Sequence, residues 1–313
     1  MIVPGEEIYE DFEVVEDEEE DEEEQKTREL RRQDAVERHL RQQKEEPDVT
    51  VRFLGEGKKL EVQVGVEHYY QDLLAWTLRR HIREGKWLVV RVLGPHRNWK
   101  PDYDVVNIAP GRNVNLLTCG RMLLKHGETR LAVRIRFSRH GEKAWMAVEG
   151  LTTARKEIQQ FAAEIDRSVR RLALYKGQKL KYDGSLEFLK PSTRGWGDLC
   201  LAPEVKDELV SNTVGFLKRS RQLARYGIPR KRGLILAGMP GTGKTLVSKV
   251  LMGDSPGITC LSTDPALLTH PRYIRELYEI AGDLKPTIVF LEDIDLIGGD
   301  RCETHNSCGN ALN

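Results

Sequence analysis

Residues 233 to 245 read Gly-Leu-Ile-Leu-Ala-Gly-Met-Pro-Gly-Thr-Gly-Lys-Thr, a short apolar run that feeds directly into a glycine-rich loop. Leu234 to Ala237 has the length and hydrophobicity of a strand buried on both faces, and Leu246 to Met252 has the pattern of the helix that follows. Gly238, Gly241 and Gly243 stand where a loop must bend tightly and turn backbone N–H groups inward, with Met239, Pro240 and Thr242 between them. The spacing from Gly238 through Gly243 to Lys244 and Thr245 is G-x-x-x-x-G-K-[ST], the pattern of a phosphate cradle. In that reading Lys244 brings a mobile positive charge to the outer phosphates, Thr245 a hydroxyl for Mg²⁺, and the helix N-terminus its partial positive charge.

Working outward, residues 287 to 295 read Thr-Ile-Val-Phe-Leu-Glu-Asp-Ile-Asp, an apolar run ending in acids. A buried strand of this kind delivers its carboxylates to the carboxyl edge of a parallel sheet, beside the phosphate loop. By position Glu292 serves the metal and Asp293 polarises the attacking water. Lys244, Glu292 and Asp293 are therefore the expected catalytic set, with Thr245 and Glu292 as the metal set and a triphosphate with Mg²⁺ as the ligand.

These segments resemble the AAA family of ATPases. The resemblance runs from about Trp196 onward and also includes the lead-in Tyr226-Gly227-Ile228-Pro229-Arg230-Lys231-Arg232-Gly233 and the stretch Arg272 to Ala281. It implies a parallel α/β sheet of the P-loop NTPase type, ATP held between neighbouring subunits of a ring, and hydrolysis coupled to remodelling of a protein client. It also implies adenine contacts from Gly227 and Ile228, and a nucleotide-binding set that continues through Gly238, Met239, Pro240, Gly241, Thr242, Gly243, Lys244, Thr245 and Leu246. Three departures stand out. The acidic pair runs Glu292-Asp293 where the family has Asp-Glu, an order similar to that of mitochondrial respiratory-complex assembly chaperones. Asp is one methylene shorter than Glu, which displaces the water-polarising carboxylate by more than about 1 Å and slows hydrolysis unless the backbone compensates. Ser262 to Pro271 lacks the aromatic-apolar-glycine trio of protein-threading relatives, Leu267 and Leu268 being the nearest apolar pair. The sensor residue, arginine fingers and helical lid that the resemblance implies would lie beyond Asn313.

Lysine plus arginine equal aspartate plus glutamate, 49 each, but the balance conceals a split. Residues 1 to 24 hold fourteen acids and no lysine or arginine, which leaves the remaining 289 residues with a formal charge of +14. The uninterrupted run Glu16 to Glu24 repels itself and has nothing to bury, so it reads as a disordered tail, either solvating or a docking peptide for a basic partner. Residues 25 to 46 are strong helix formers with acids and bases three or four apart, and Pro47 ends that helix.

From Val49 to Gly150 the expectation is an α+β domain. Val49 to Leu54 and Leu60 to Val66 read as a hairpin around Gly-Glu-Gly-Lys-Lys, His68 to Glu84 as a helix, and Trp87 to Leu93 as a strand. Leu131, Val133, Ile135 and Phe137 alternate with polar or small residues and turn back into Ala144 to Val148, a half-buried antiparallel hairpin. Thr153 to Lys176 has helical periodicity and stops at Gly177, Lys179 to Arg194 reads as a linker, and Val205 to Leu223 as one amphipathic helix. The expected organisation is a tail over 1–47, a recognition domain over 48–152, a connection over 153–195 and the ATPase domain over 196–313.

Arg79, Arg80, His81, Arg83, Lys86, Arg91, Arg97 and Lys100 lie near Trp87 and Trp99, but Glu84 and Asp102 dilute the charge and no nucleic-acid-binding motif accompanies them. An ordinary solvated face is the expectation. Five cysteines, an odd number, indicate a reducing compartment, and Cys302, His305 and Cys308 leave zinc one ligand short. No apolar run reaches the ~18 residues that span a bilayer, and no H-E-x-x-H occurs, which argues for a cytoplasmic chain and against the membrane-anchored AAA proteases. Two function classes remain: an ATP-hydrolysing remodeller, and a truncated regulatory module that holds ATP without efficient turnover.

Overall fold

The computed structural model describes residues 48–96, 99–137, 143–190, 192–292 and 294. The chain divides into two units, Met1–Arg52 and Phe53–Asn313. The acidic tail, the charged helix over 25–46, Asp293 and the Cys302-His305-Cys308 group lie outside the described residues.

The first described element is helix α1 (Val49–Leu54), where the β-branched run Val49-Thr50-Val51 predicts a strand. The Asp48 carboxylate accepts the Thr50 N–H at 3.0 Å and its carbonyl accepts the Val51 N–H at 2.8 Å, so a capped helical start overrides strand propensity. Strand β1 (Lys59–Val66) consequently has no hairpin partner before it and pairs antiparallel with a strand some eighty residues later. Helix α2 (Gln71–Glu84) follows a 3₁₀ turn at His68–Tyr70 and buries Leu73, Leu74, Leu78 and Ile82. Then come β2 (Leu88–Leu93), β3 (Asp102–Ala109), the long β4 (Arg112–His126), β5 (Thr129–Arg136) and β6 (Ala144–Leu151). They form an antiparallel sheet in the order β1-β6-β5-β4-β2, with β3 pairing along the first half of β4. Gly120 marks the change of partner on β4, because a Cβ there would sit 2.8 Å from the Leu93 carbonyl oxygen. The expected β5–β6 hairpin is present, with Val133 opposite Val148 and Ile135 opposite Met146. Helix α3 (Arg155–Arg170) packs beside α2 against this sheet through Ile158, Phe161, Ile165 and Val169.

The stretch expected as a linker contains β7 (Lys179–Tyr182) and β8 (Leu186–Phe188). Leu180, Tyr182, Leu186 and Phe188 are buried on alternate positions around a turn at Gly184, whose φ is +100°. Only two core residues fall on each strand, too few to stand out against the flanking charges. The helix expected over Val205 to Leu223 is broken into α4 (Pro203–Asn212) and α5 (Val214–Arg225). Thr213 breaks it with φ −112° and ψ −95°, its hydroxyl turned back to the Leu209 carbonyl at 2.6 Å.

After helix α6 (Lys244–Gly253) come β9 (Thr259–Thr263), helix α7 (Pro271–Asp283) and β10 (Thr287–Leu291). The second sheet runs β10-β9-β7-β8, with β10, β9 and β7 parallel and β8 antiparallel to β7. Both of its faces are covered. Leu261 and Val289 face α7 and the core shared with the first sheet, while Cys260, Ile288 and Phe290 face Val247 and Leu251 of α6 and Leu209 of α4. This is the α/β/α layering that fully buried parallel strands require. The core is continuous between the two sheets, running through Tyr175, Leu180 and Phe188 to Leu277 and Ile280.

Candidate functional site

The apolar lead-in to the glycine loop does not form the buried strand that its composition predicts. Residues 234–237 lie in no strand, and Leu234, Ile235 and Leu236 are 41%, 79% and 36% exposed. A strand needs a ladder partner, and among the described residues β10 pairs only with β9 while nothing pairs with 234–237. Arg232 ties this segment to the α4–α5 hairpin instead, donating to the Asn212 side-chain oxygen at 2.6 Å and lying over the Phe216 ring at 5.2 Å. Asn212 and Phe216 carry no motif, so sequence reasoning passed over them.

The loop itself takes the conformation its glycines permit. Gly241 and Gly243 have φ of +79° and +93°, values that disfavour any side chain, and Gly243 hands the chain directly to α6. The helix therefore starts at Lys244, two residues earlier than the apolar periodicity suggests, and Lys244, Thr245 and Leu246 form its first turn. The turn carries no acidic residue of its own, and its N–H groups and dipole face the loop as an anion-attracting end. The Thr242 hydroxyl donates to the Met239 carbonyl at 2.8 Å, and Pro240 and Gly241 make the bend between them. The Lys244 ammonium folds under the loop and donates to the carbonyls of Gly238 and Met239 at 2.7 and 3.0 Å. The loop is thus wrapped round its own cation.

The acidic strand arrives where the sequence places it. β10 ends at Leu291, and the next residue, Glu292, accepts a hydrogen bond from the Thr245 hydroxyl to its Oε2 at 3.2 Å. Two segments 47 positions apart meet at one sheet edge. A hydroxyl and a carboxylate at this separation are hard oxygen donors of the kind Mg²⁺ accepts, with phosphate and water oxygens completing its shell. Gly227 and Ile228 close the end of α5: Gly227 has φ +73°, and their N–H groups donate to the Ala224 and Leu223 carbonyls at 3.2 Å. Among the described residues no group of three or more His, Cys, Asp or Glu side chains is placed to hold a metal ion, and no helix is long and apolar enough to cross a membrane. In the basic stretch on α2, Arg79 donates to the Asn115 carbonyl and Arg80 to the Glu84 carboxylate, each at 2.9 Å.

A glycine loop opening a helix, with the helix's first hydroxyl on the acid that ends a parallel strand, defines the P-loop class of nucleotide-binding proteins. Residues 234–312 match the model of the ATPase family associated with various cellular activities (AAA). Over 130 residues, 40% of this chain and 15% of the relative, it is 33% identical to the ATP-dependent zinc metalloprotease FTSH 9, chloroplastic, of Arabidopsis thaliana. It is 33% identical over 125 residues, 38% of this chain, to the ATP-dependent zinc metalloprotease FtsH 2 of Sphaerobacter thermophilus, covering 19% of it. Over 85 residues, 26% of this chain, it is 35% identical to the 26S proteasome regulatory subunit 4 homolog of Oryza sativa subsp. japonica, again covering 19%. The chain spans less than a fifth of the length of each of these relatives.

Proposed function

We propose that the chain binds ATP with Mg²⁺ and hydrolyses it to remodel a protein client, as a self-associating cytoplasmic AAA-type ATPase. The contact between Thr245 and Glu292 carries this reading, since it joins the phosphate loop to the acidic strand end. Lys244 would leave its two carbonyls for the outer phosphates, the N–H groups at Gly243, Lys244 and Thr245 would hold phosphate oxygens, and Thr245 and Glu292 would hold Mg²⁺ directly or through water. The metal supplies neutralisation of charge on the phosphates. Asp293, next in sequence to Glu292, would accept a proton from the attacking water. The backbone from Gly227 to Ile228 would line the adenine, and residues 48–152, preceding a motor that begins near Trp196, would recognise the client. The resemblance supports a ring in which a neighbouring copy contributes to each site.

The test is nucleotide binding and turnover by the wild-type chain, Lys244→Ala and Asp293→Asn, using a fluorescent ATP analogue for the first and phosphate release for the second. Losing the cation should weaken binding by about 100-fold, equivalent to about 3 kcal/mol of charge-assisted hydrogen bonding. Asp293→Asn should bind as wild type and turn over about 100-fold more slowly. Unchanged affinity in Lys244→Ala would remove the phosphate-cradle assignment. Tight binding without any wild-type turnover would favour a nucleotide-holding regulatory module.

A further inference from the structure

Helix α7 precedes β10, the strand whose next residue is Glu292, and one side of it carries Glu276, Glu279 and Asp283, spaced i, i+3, i+7. A consecutive trio from the other end of the chain, the 3₁₀ turn His68-Tyr69-Tyr70, meets that row residue by residue. His68 Nε2 lies 3.6 Å from Glu276 Oε2, the Tyr69 hydroxyl donates to Glu279 Oε2 at 3.3 Å, and the Tyr70 hydroxyl donates to Asp283 Oδ2 at 3.1 Å. Glu276 is buried and fully engaged, accepting from the Tyr182 hydroxyl of β7 and from Arg272 Nε at 2.8 Å. Tyr69 and Tyr70 are only 4% and 6% exposed, so the turn cannot swing away without opening the core. Burial and the facing carboxylates push both phenols above their ordinary range, which keeps them protonated donors.

Thr259 fastens the far end of α7 to the nucleotide sheet. Thr259, fully buried at the start of β9, accepts the Gly177 N–H on its hydroxyl at 2.9 Å and donates that hydroxyl to the Leu284 carbonyl at 2.8 Å. Its own N–H donates to the Pro286 carbonyl at 2.9 Å, immediately before β10. From Tyr70 a chain of direct bonds thus passes through Asp283, along the backbone past Leu284 and Pro286 into β10, and ends at Glu292 against Thr245.

We propose that the His68–Tyr70 turn is a clamp on α7 through which the first sheet sets the position of β10 and of Glu292, with Tyr69 and Tyr70 as positioning residues for the nucleotide site. A ligand or client on the first sheet then reaches the nucleotide through a shift of α7. The consequence at Glu292 rests on the ATP reading above, whereas the clamp stands or falls on its own.

The experiment is backbone hydrogen exchange on the full chain carrying Tyr69→Phe with Tyr70→Phe, alongside steady-state ATP turnover. Tyr175→Phe is the control: Tyr175 stacks on Tyr70 at 6.2 Å and is fully buried, yet among the described residues its hydroxyl has no hydrogen-bond partner. Losing both hydroxyl bonds should speed exchange over 271–291 by about 5–30-fold and leave β5 and β6 unchanged, while Tyr175→Phe changes neither. At saturating Mg²⁺, turnover should show a fall in kcat with KM for ATP unmoved, because Lys244 and its loop are untouched. Should the double phenylalanine variant fail to fold, Glu279→Ala with Asp283→Ala removes the same two bonds from exposed positions and must give the same exchange pattern. Unaltered exchange over 271–291, or acceleration spread equally over β5 and β6, overturns the clamp. Faster exchange with unchanged kcat overturns its link to Glu292 and leaves the ATP reading intact, and only failure of the wild-type chain to bind ATP counts against that reading.

Discussion

Asp72→Asn should stabilise the protein, and only at neutral pH. Asp72 sits in the first turn of α2, where the helix dipole favours an anion. Even so, burial, and then the Asp104 carboxylate of β3, push its carboxyl up from 3.8 to about 6. A shift of just over two units corresponds to about 3 kcal/mol, and the half-buried side chain retains enough solvent to reduce this to about 1.5 kcal/mol. The sign follows from linkage. The folded state binds the proton more tightly than the unfolded chain, so Asp72 costs nothing below pH 3.8, and its cost grows as pH rises to about 6, above which the ion stays buried. The amide is never charged, so the variant should melt about 3 °C higher at pH 8 and within error of wild type at pH 4. Thermal denaturation followed by circular dichroism at both pH values measures this. Asp104→Asn should recover a smaller share, because Asp104 is the lesser of the two causes. An equal shift at pH 4 and pH 8, or a lower melting temperature at pH 8, would refute the argument.

Two further predictions concern the site and the first sheet. Glu292→Gln retains an oxygen for the Thr245 hydroxyl but loses the charge, so the Mg²⁺ concentration needed for half-maximal ATP binding should rise about tenfold while metal-free affinity stays constant; unchanged Mg²⁺ dependence in a titration would remove Glu292 from the metal set. Gly120→Ala brings a methyl to 2.8 Å from the Leu93 carbonyl oxygen and 3.1 Å from Leu117 Cδ1, forcing β2 and β3 off β4. Its cost should be about 1–3 kcal/mol by urea unfolding, and a neutral result would mean that the strand ends are free to part.

What could be read without coordinates was whatever one short segment encodes by itself. The run from Gly238 to Thr245 needs only its own glycines to make the loop, and β10, α2 and the β5–β6 hairpin carry periodicity strong enough to place each within a few residues. β7 and β8 were missed because four alternating core residues among lysines and a glycine turn look like a linker until a parallel neighbour, β9, stands beside them. Three consecutive β-branched residues, Val49 to Val51, favour a strand where α1 lies, and a local cap at Asp48 outweighs that preference. The break at Thr213 leaves no sign, since a threonine in a helix is ordinary until its hydroxyl turns back on the Leu209 carbonyl.

The sequence alone determined the chemistry on offer: a phosphate loop, its lysine and hydroxyl, and acids at the end of an apolar strand, all set by residue type and local spacing. Only the tertiary structure decided which of these touch. It put Thr245 on Glu292, left Leu234 to Leu236 without a ladder partner among the described residues, and set three consecutive residues at 68–70 against three acids on α7. The physical reason is that a hydrogen bond across some two hundred positions has no local signature. It exists because two faces pack, and packing is a property of the whole core.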